Sequence, residues 1–321
     1  MQRRCFLVTG AQGCIGSWVI KNLLDMDQEV IALDVHTRPV RLSLIVHQER
    51  LKAVRFVRGD INKFDQIKKL LEKFAVTHVI HLAGLQTPEC RAKPILGAAT
   101  NVVGTLTLFE AIKAHKDQVK CVVYASSGAV LGADEEFGNH PIADDAPRIP
   151  GTLYGVFKVT NEECARIYWQ DEGIRSVGLR PPVVHGVGRD RGLTAGATLA
   201  IKAALLGRPY EIGFGGEANM EYAEDVANSF IACALKAPEG APVYNMRGEI
   251  LEVDDMIAVI QEIVPSSRGL ITCGKQRNVM ANDVSDAGLQ ALIGPFDPLR
   301  YAEGARRTAE LFRALLEEGR L

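Results

Sequence analysis

Six short runs of nearly unbroken apolar residues set the frame of this chain: CFLVT (5–9), EVIALD (29–34), AVRFV (53–57), THVIHLA (77–83), KCVVYAS (120–126) and IRSVGLR (174–180). Val, Ile and Leu without a polar alternate suit strands covered on both faces, which is the situation in a parallel sheet. Stretches of helical period lie between the runs, at about 15–26, 63–74, 95–115 and 152–172. Strand and helix in alternation predict an α/β fold, a doubly wound parallel sheet of Rossmann type. After Arg180 the rhythm loosens. Pro181 and Pro182 are poorly suited to a central strand, and a loop rich in Gly and charge, GVGRDRG (186–192), follows. Helices are expected near 194–206, 252–264, 284–292 and 303–318. The expected division is a main domain over 1–180 and a smaller lobe over 181–321, with segments able to cross back to the sheet.

Composition narrows the classes. A chain of 321 residues with 47% apolar and 24% charged residues can bury a substantial core. Lys and Arg number 37 against 39 Asp and Glu, a net charge of -2. This balance lacks the basic excess of a nucleic-acid binder. The apolar run at Cys5–Val8 is too short for a signal peptide or a membrane span. A cytoplasmic protein without a membrane partner is therefore expected. Its seven cysteines, at 5, 14, 90, 121, 164, 233 and 273, show no Cys-x-x-Cys spacing and read as small buried hydrophobes. His78 and His81 alternate on one strand with no third ligand at metal spacing, so no metal is expected. His185 reads as a packing residue.

The first strand runs directly into TGAQGCIGS, which places Gly10, Gly13 and Gly16 in a G-x-x-G-x-x-G array at the start of the first helix. Glycine permits the tight turn and removes the Cβ that would block a pyrophosphate. The helix N-terminus then offers free N–H groups and a favourable dipole. The second strand ends at Asp34, 18 residues after Gly16. An acid there binds both hydroxyls of an adenosine ribose and repels a 2′-phosphate, which favours NAD over NADP. Arg38 nearby is the residue that can receive such a phosphate. Residues 1–180 are thus the expected dinucleotide-binding domain, and 181–321 mainly the substrate-binding lobe.

Further motifs lie in register along the chain: GDI (59–61), HLAG (81–84), NVVGT (101–105), YASSGAVLG (124–132) and YGVFK (154–158). Together with TGAQGCIG they resemble the extended short-chain dehydrogenase/reductases, also called the NAD-dependent epimerase/dehydratase family. The resemblance covers about residues 3–230. It implies a cofactor site formed by Gly10, Gly13, Cys14, Ile15, Gly16, Asp34, Asp60, Ile61, Leu82, Ala83, Gly84, Asn101 and Pro181, with Tyr154 and Lys158. It implies a catalytic set of Ser127, Tyr154 and Lys158. Ser127 is preferred to Ser126 because the family's Ser or Thr sits five residues before the closing glycine, here Gly132. Ser126 is expected to bond backbone at the strand end.

The chemistry follows from the groups. A free phenol has a pKa near 10 and is a poor base at neutral pH. Lys158 lies four residues on, along the same helix face, and its ammonium is expected to stabilise the Tyr154 phenolate. Tyr154 then removes a proton from an alcohol or returns one to a ketone, while hydride passes to or from the nicotinamide. Ser127 would hold the substrate oxygen. The resemblance also implies a homodimer through helices 95–115 and 152–172.

Two departures bear on substrate. In LRPPVVHG (179–186) Val183 stands where nucleotide-sugar members carry Asn, and in ANMEYAED (218–225) Ala218 stands near their phosphate-binding Arg. The expectation is an oxidoreductase or epimerase acting on a sugar or sugar-acid-like substrate without a nucleotide. The alternatives are a nucleotide-sugar epimerase, or a non-catalytic dinucleotide-sensing regulatory protein. Gln86, Ser127, Gly128, Arg189 and Arg191 are the candidate substrate residues, the two arginines as an anion site. Gly128 and Ala129 follow Ser127 where the family's dehydratases add acidic groups, which argues against dehydration.

Overall fold

The computed structural model describes residues 4–277 and 280–321. Strands form at the six apolar runs: β1 (Cys5–Thr9), β2 (Glu29–Asp34), β3 (Val54–Arg58), β4 (His78–His81), β5 (Cys121–Ala125) and β6 (Ser176–Arg180). Six short strands follow: β7 (Val183–His185), β8 (Tyr210–Ile212), β9 (Glu217–Tyr222), β10 (Val243–Asn245), β11 (Glu249–Glu252) and β12 (Ile271–Cys273). The central sheet has seven strands in the order β10-β6-β5-β4-β1-β2-β3, and every pair is parallel. The order reverses direction between β1 and β4. That switch point opens a crevice at the carboxyl ends of the strands.

Both faces of the sheet are covered, as continuous apolar strands require. All five residues of β1 are buried, and they divide by alternation between two cores. Phe6 and Val8 join one cluster; Cys5 and Leu7 join the other. Helices Phe64–Phe74 and Gly104–Lys113 lie on the second side, through residues such as Leu70 and Phe109. Helix Ala223–Lys236, from the latter half of the chain, packs beside Cys14–Asp25 on the first side, where Asn22 donates to Asn228 at 2.7 Å. β10 likewise returns from that half to extend the sheet beside β6.

Pro181 and Pro182 end β6, and the chain then leaves the central sheet. β7 pairs with β9, which pairs antiparallel with β11; β8 and β12 form a separate parallel pair. The helix expected over 95–115 is divided into Pro94–Ala98, a π-helical turn at Ala99–Val103 and Gly104–Lys113. A π turn inserts an extra residue and re-aims the side chains around it, and such turns gather at functional sites. A Cβ at Gly104, just after the turn, would meet Ile61 at 2.6 Å, so the loop after β3 presses on the end of this turn. Pro94–Lys113 is long and apolar enough by length and composition to cross a membrane; 44% of it is buried against the protein, through Leu108, Phe109 and Ile112.

One buried ion pair ties these layers together. Glu162, on helix Leu153–Glu172, accepts from Arg180 Nε and Nη2 at 2.8 Å each, and the two side chains are 1% and 3% exposed. Removing one partner strands the other charge in the interior, which costs about 3–5 kcal/mol. Glu162→Ala is therefore expected to lower unfolding stability by that amount in urea titration, whereas the paired apolar replacement Glu162→Leu/Arg180→Met loses far less. Equal losses in the single and double variants would show that the pair is not what holds this junction.

Candidate active site

The glycine turn is built by close approach. Gly10 has φ +65°, and a Cβ on it would fall 2.5 Å from the Leu82 carbonyl carbon, so the β1 and β4 loops meet there backbone to backbone. A Cβ on Gly16 would lie 2.5 Å from the Gly10 oxygen. Gly13 differs: its Cβ would meet only the Gly10 oxygen, at 3.1 Å, which leaves its face to the crevice. Gly13 is the N-cap of the 12-residue helix Cys14–Asp25, and no side chain among the described residues caps that end. Its N–H groups are thus available to an anion. Asp34 accepts one backbone N–H on each oxygen, from Gln12 at 3.0 Å and His36 at 3.2 Å. Each oxygen keeps a lone pair for a further donor, such as a ribose hydroxyl. A side-chain-free turn, an uncapped helix end and a half-used carboxylate together fit a dinucleotide.

These residues line one cavity of about 1040 Å³. Gly10, Gly13, Cys14, Ile15, Gly16 and Asp34 form one wall. Asp60 and Ile61 border the same space, as do Leu82, Ala83 and Gly84. Ser127, Tyr154, Lys158 and Pro181 border it further along, with Gln86, Arg189 and Arg191. Two expected site residues lie behind the wall. Asn101 is fully buried, accepts the Leu85 N–H at 3.1 Å and donates to the Leu85 carbonyl at 3.1 Å and to Cys90 Sγ at 3.2 Å. It clamps the loop that touches the cavity and does not reach the cavity itself, because the π turn directs it at that loop. Gly128 is buried, donates its N–H to the Pro181 carbonyl at 3.1 Å and sits beneath Met280, which does line the cavity.

The helix that carries Tyr154 and Lys158 is capped by Thr152, whose hydroxyl accepts the Gly155 N–H at 3.1 Å. Gly155 is the close-contact position: a Cβ there would sit 2.2 Å from the Ala129 carbonyl oxygen. Its missing side chain lets the helix press on the Gly128–Val130 turn, which Ser127 caps by accepting the Ala129 N–H at 3.2 Å. Tyr154 is thereby brought to Ser127. Lys158 is buried and donates to the Ala125 carbonyl at 2.7 Å, and its Nζ lies 5.5 Å from the Tyr154 ring centroid.

The electrostatics differ from expectation in one respect. Burial raises the Tyr154 phenol above its ordinary value; hydrogen bonding to Ser127 and the Arg189 charge oppose this, and Lys158 is not among the causes. The Lys158 ammonium spends its direct bond on Ala125. It has two more hydrogens to offer. Burial pushes Lys158 down to about 8, with the Cys90 and Glu162 charges acting the other way.

Ser126 also departs from its expected backbone bond. Its hydroxyl donates to Glu162 at 2.5 Å. Glu162 thereby holds the residue between Ala125, which anchors Lys158, and Ser127, which meets Tyr154. His78 and His81 are buried and hydrogen-bonded to threonines, and burial keeps them neutral. His185 packs against Tyr222 and Tyr301. Gln12, Arg41, Asp190 and Met280 also border the cavity, and no local motif marks them.

Sheet order, crevice and glycine turn define a dinucleotide-binding enzyme fold of the doubly wound parallel type. Residues 6–246 match the NAD dependent epimerase/dehydratase family, and the chain belongs to it; NAD is its cofactor. The UDP-glucose 4-epimerase of Azospirillum brasilense is 36% identical over 210 residues, 63% of this chain and 57% of that protein. The UDP-glucose 4-epimerase of Mycolicibacterium smegmatis is 28% identical over 321 residues, 96% of this chain and 98% of that one. Among solved structures, the Thermus thermophilus UDP-glucose 4-epimerase in complex with NAD superposes with TM-score 0.81 at 24% identity, covering 96% of this chain and 99% of the other. MoeE5 in complex with UDP-glucose and NAD gives TM-score 0.81 at 25% identity, covering 97% and 99%.

A lysine whose pKa falls from 10.5 to about 8 on folding opposes folding at pH 7, by an amount on the order of 3 kcal/mol. The unfolded chain binds the extra proton between pH 8 and 10.5, so this penalty fades as pH rises through that window. Lys158→Met is expected to be inactive yet more stable at pH 7, with its advantage shrinking as the pH approaches the ordinary lysine value. Paired denaturation curves at about pH 7 and pH 10 check this; a variant less stable at the lower pH would contradict it.

Proposed function

We propose that this protein is a nucleotide-sugar epimerase, with UDP-glucose and UDP-galactose as the first pair to test. The observation that carries the reading is the end-to-end similarity to the M. smegmatis UDP-glucose 4-epimerase. The absence of acidic groups at Gly128 and Ala129, beside Ser127, supports epimerisation over dehydration. The comparisons do not support the expectation of a substrate without a nucleotide. That expectation rested on Val183 and Ala218. Ala218 is fully buried, in β9, and does not border the cavity, so its identity says little about the substrate. Arg189 and Arg191 do border it and are the cations we assign to the diphosphate.

Ser127 holds the sugar hydroxyl against Tyr154. NAD, when bound, supplies the acceptor and donor of hydride. Tyr154 accepts the hydroxyl proton as the ketone forms and gives it back as the ketone is reduced. Burial works against its phenolate, while the Ser127 hydrogen bond and the Arg189 charge favour it; we assign Lys158, whose Nζ lies 5.5 Å from the ring centroid, as the further cation that supports the phenolate during the reaction. Inversion requires the ketone to present its other face, and Ala129, a small side chain that borders the cavity, leaves room beside Ser127.

Purified protein with UDP-glucose and no added dehydrogenase substrate is expected to form UDP-galactose without net NADH. Tyr154→Phe should lower kcat by about 10²–10⁴-fold. Net NADH from a free sugar or hydroxy acid, with no interconversion of UDP-sugars, would overturn the reading. We also propose a homodimer: Leu153, Val156 and Ile167 are exposed apolar residues on helix Leu153–Glu172, and Ile95 is 88% exposed on the neighbouring helix. Val156→Glu is expected to yield monomers in gel filtration.

A further inference from the structure

The charged 186–192 loop lies across the glycine turn. Val187 is buried, and its carbonyl accepts the Trp18 indole N–H at 2.9 Å, which seats the loop on the first helix. Gly188, with φ +93°, turns the chain beside Arg41 and the first helix: a Cβ there would be in ordinary contact with Arg41 Cβ at 3.6 Å and Cys14 Cα at 3.8 Å. Asp190 Oδ1 then accepts from Arg41 Nε at 2.9 Å and Nη2 at 2.6 Å. The remaining guanidinium nitrogen donates to the Gln12 carbonyl at 2.7 Å, and the Gln12 N–H donates to Asp34 at 3.0 Å. One hydrogen-bonded chain thus runs from the ribose-binding acid, over the pyrophosphate turn, to a loop of the second lobe. Asp34, Gln12, Arg41, Gly188 and Asp190 all border the cavity.

We propose that Arg41 and Asp190 are positioning residues of the dinucleotide site, whose ion pair holds the 186–192 loop across the glycine turn and slows the departure of NAD. A molecule lying along the turn is enclosed between it and the loop, and leaves only when the pair opens. Arg41 is 20% and Asp190 49% exposed, so the pair contributes at the scale of a partly exposed bridge and weakens with salt. The inference rests on NAD as the cofactor and not on the identity of the sugar.

The test follows NAD release in the absence of sugar. Wild-type protein and the Asp190→Asn, Asp190→Glu and Arg41→Met variants are loaded with NAD and desalted. Released NAD is trapped by an added dehydrogenase that reduces it, and absorbance reports the rate. Asp190→Asn and Arg41→Met are expected to release NAD about fivefold faster than wild type at low salt. Asp190→Glu should restore most of the difference, and about 1 M salt should narrow it. Melting temperatures close to wild type separate this from general loosening. Unchanged release in both disrupting variants would overturn the proposal. So would faster release in Arg41→Met alone, which would assign the effect to the Gln12 contact. Either failure leaves the proposed reaction standing, because no sugar is present.

Discussion

Glu162 is the carboxylate on which the site depends. It receives Ser126 from the end of β5, both forks of Arg180 from the end of β6, and Arg148 at 3.4 Å from the connecting loop. Arg180 passes the connection on, donating to the Asp144 carbonyl at 2.8 Å and to Asn245 of β10 at 3.1 Å. Two charges this deep gain less from each other than their separation suggests, since both have lost water. Their value here lies in geometry: each contact has a fixed partner, so the ends of three strands and the helix Leu153–Glu172 have one mutual arrangement. Gly155 sets how near that helix comes, and Glu162, two turns further on, sets its register against the strand ends.

The same helix carries a conflict between stability and chemistry. Lys158 must give up most of its hydration, and its direct bond is to one carbonyl. The nearby negative charge that opposes its neutralisation comes in part from Glu162, one turn away. Burial also raises the phenol of Tyr154. For both groups burial is the largest influence, and the nearby charges and hydrogen bonds only partly oppose it. The Arg189 charge favours that phenolate from the second lobe, so part of the electrostatics around Tyr154 comes from outside the sheet.

Much of the fold is legible because its strands are unbroken apolar runs. β1 and β2 fall on the expected residues, and the cofactor turn follows from three glycines beside them. The stretch 95–115 reads as one continuous helix because ATNVV carries no glycine or proline to mark the π turn, and the orientation of Asn101 depends on that turn. Ser126 reads as a backbone partner because strand-end serines usually find backbone nearby; Glu162 lies 36 residues away. Arg41 and Asp190 are 149 residues apart, and nothing local to either announces the other. The fall of Lys158 and rise of Tyr154 depend on burial depth, which a Tyr-x-x-x-Lys spacing does not encode.

That distinction also explains why the shared motifs do not separate an epimerase from a dehydrogenase. Ser, Tyr and Lys perform the same proton transfer in both. What differs is whether the reduced cofactor waits for the ketone or leaves before it, a competition between hydride return and dissociation. Dissociation is governed by what closes over the cofactor, and the element we propose for this in the present chain is the loop of the second lobe seated on Trp18 and joined to Arg41. On that proposal the outcome depends on long-range contacts between the lobes, which no Tyr-x-x-x-Lys spacing encodes, while the motif residues carry only the chemistry that both outcomes share.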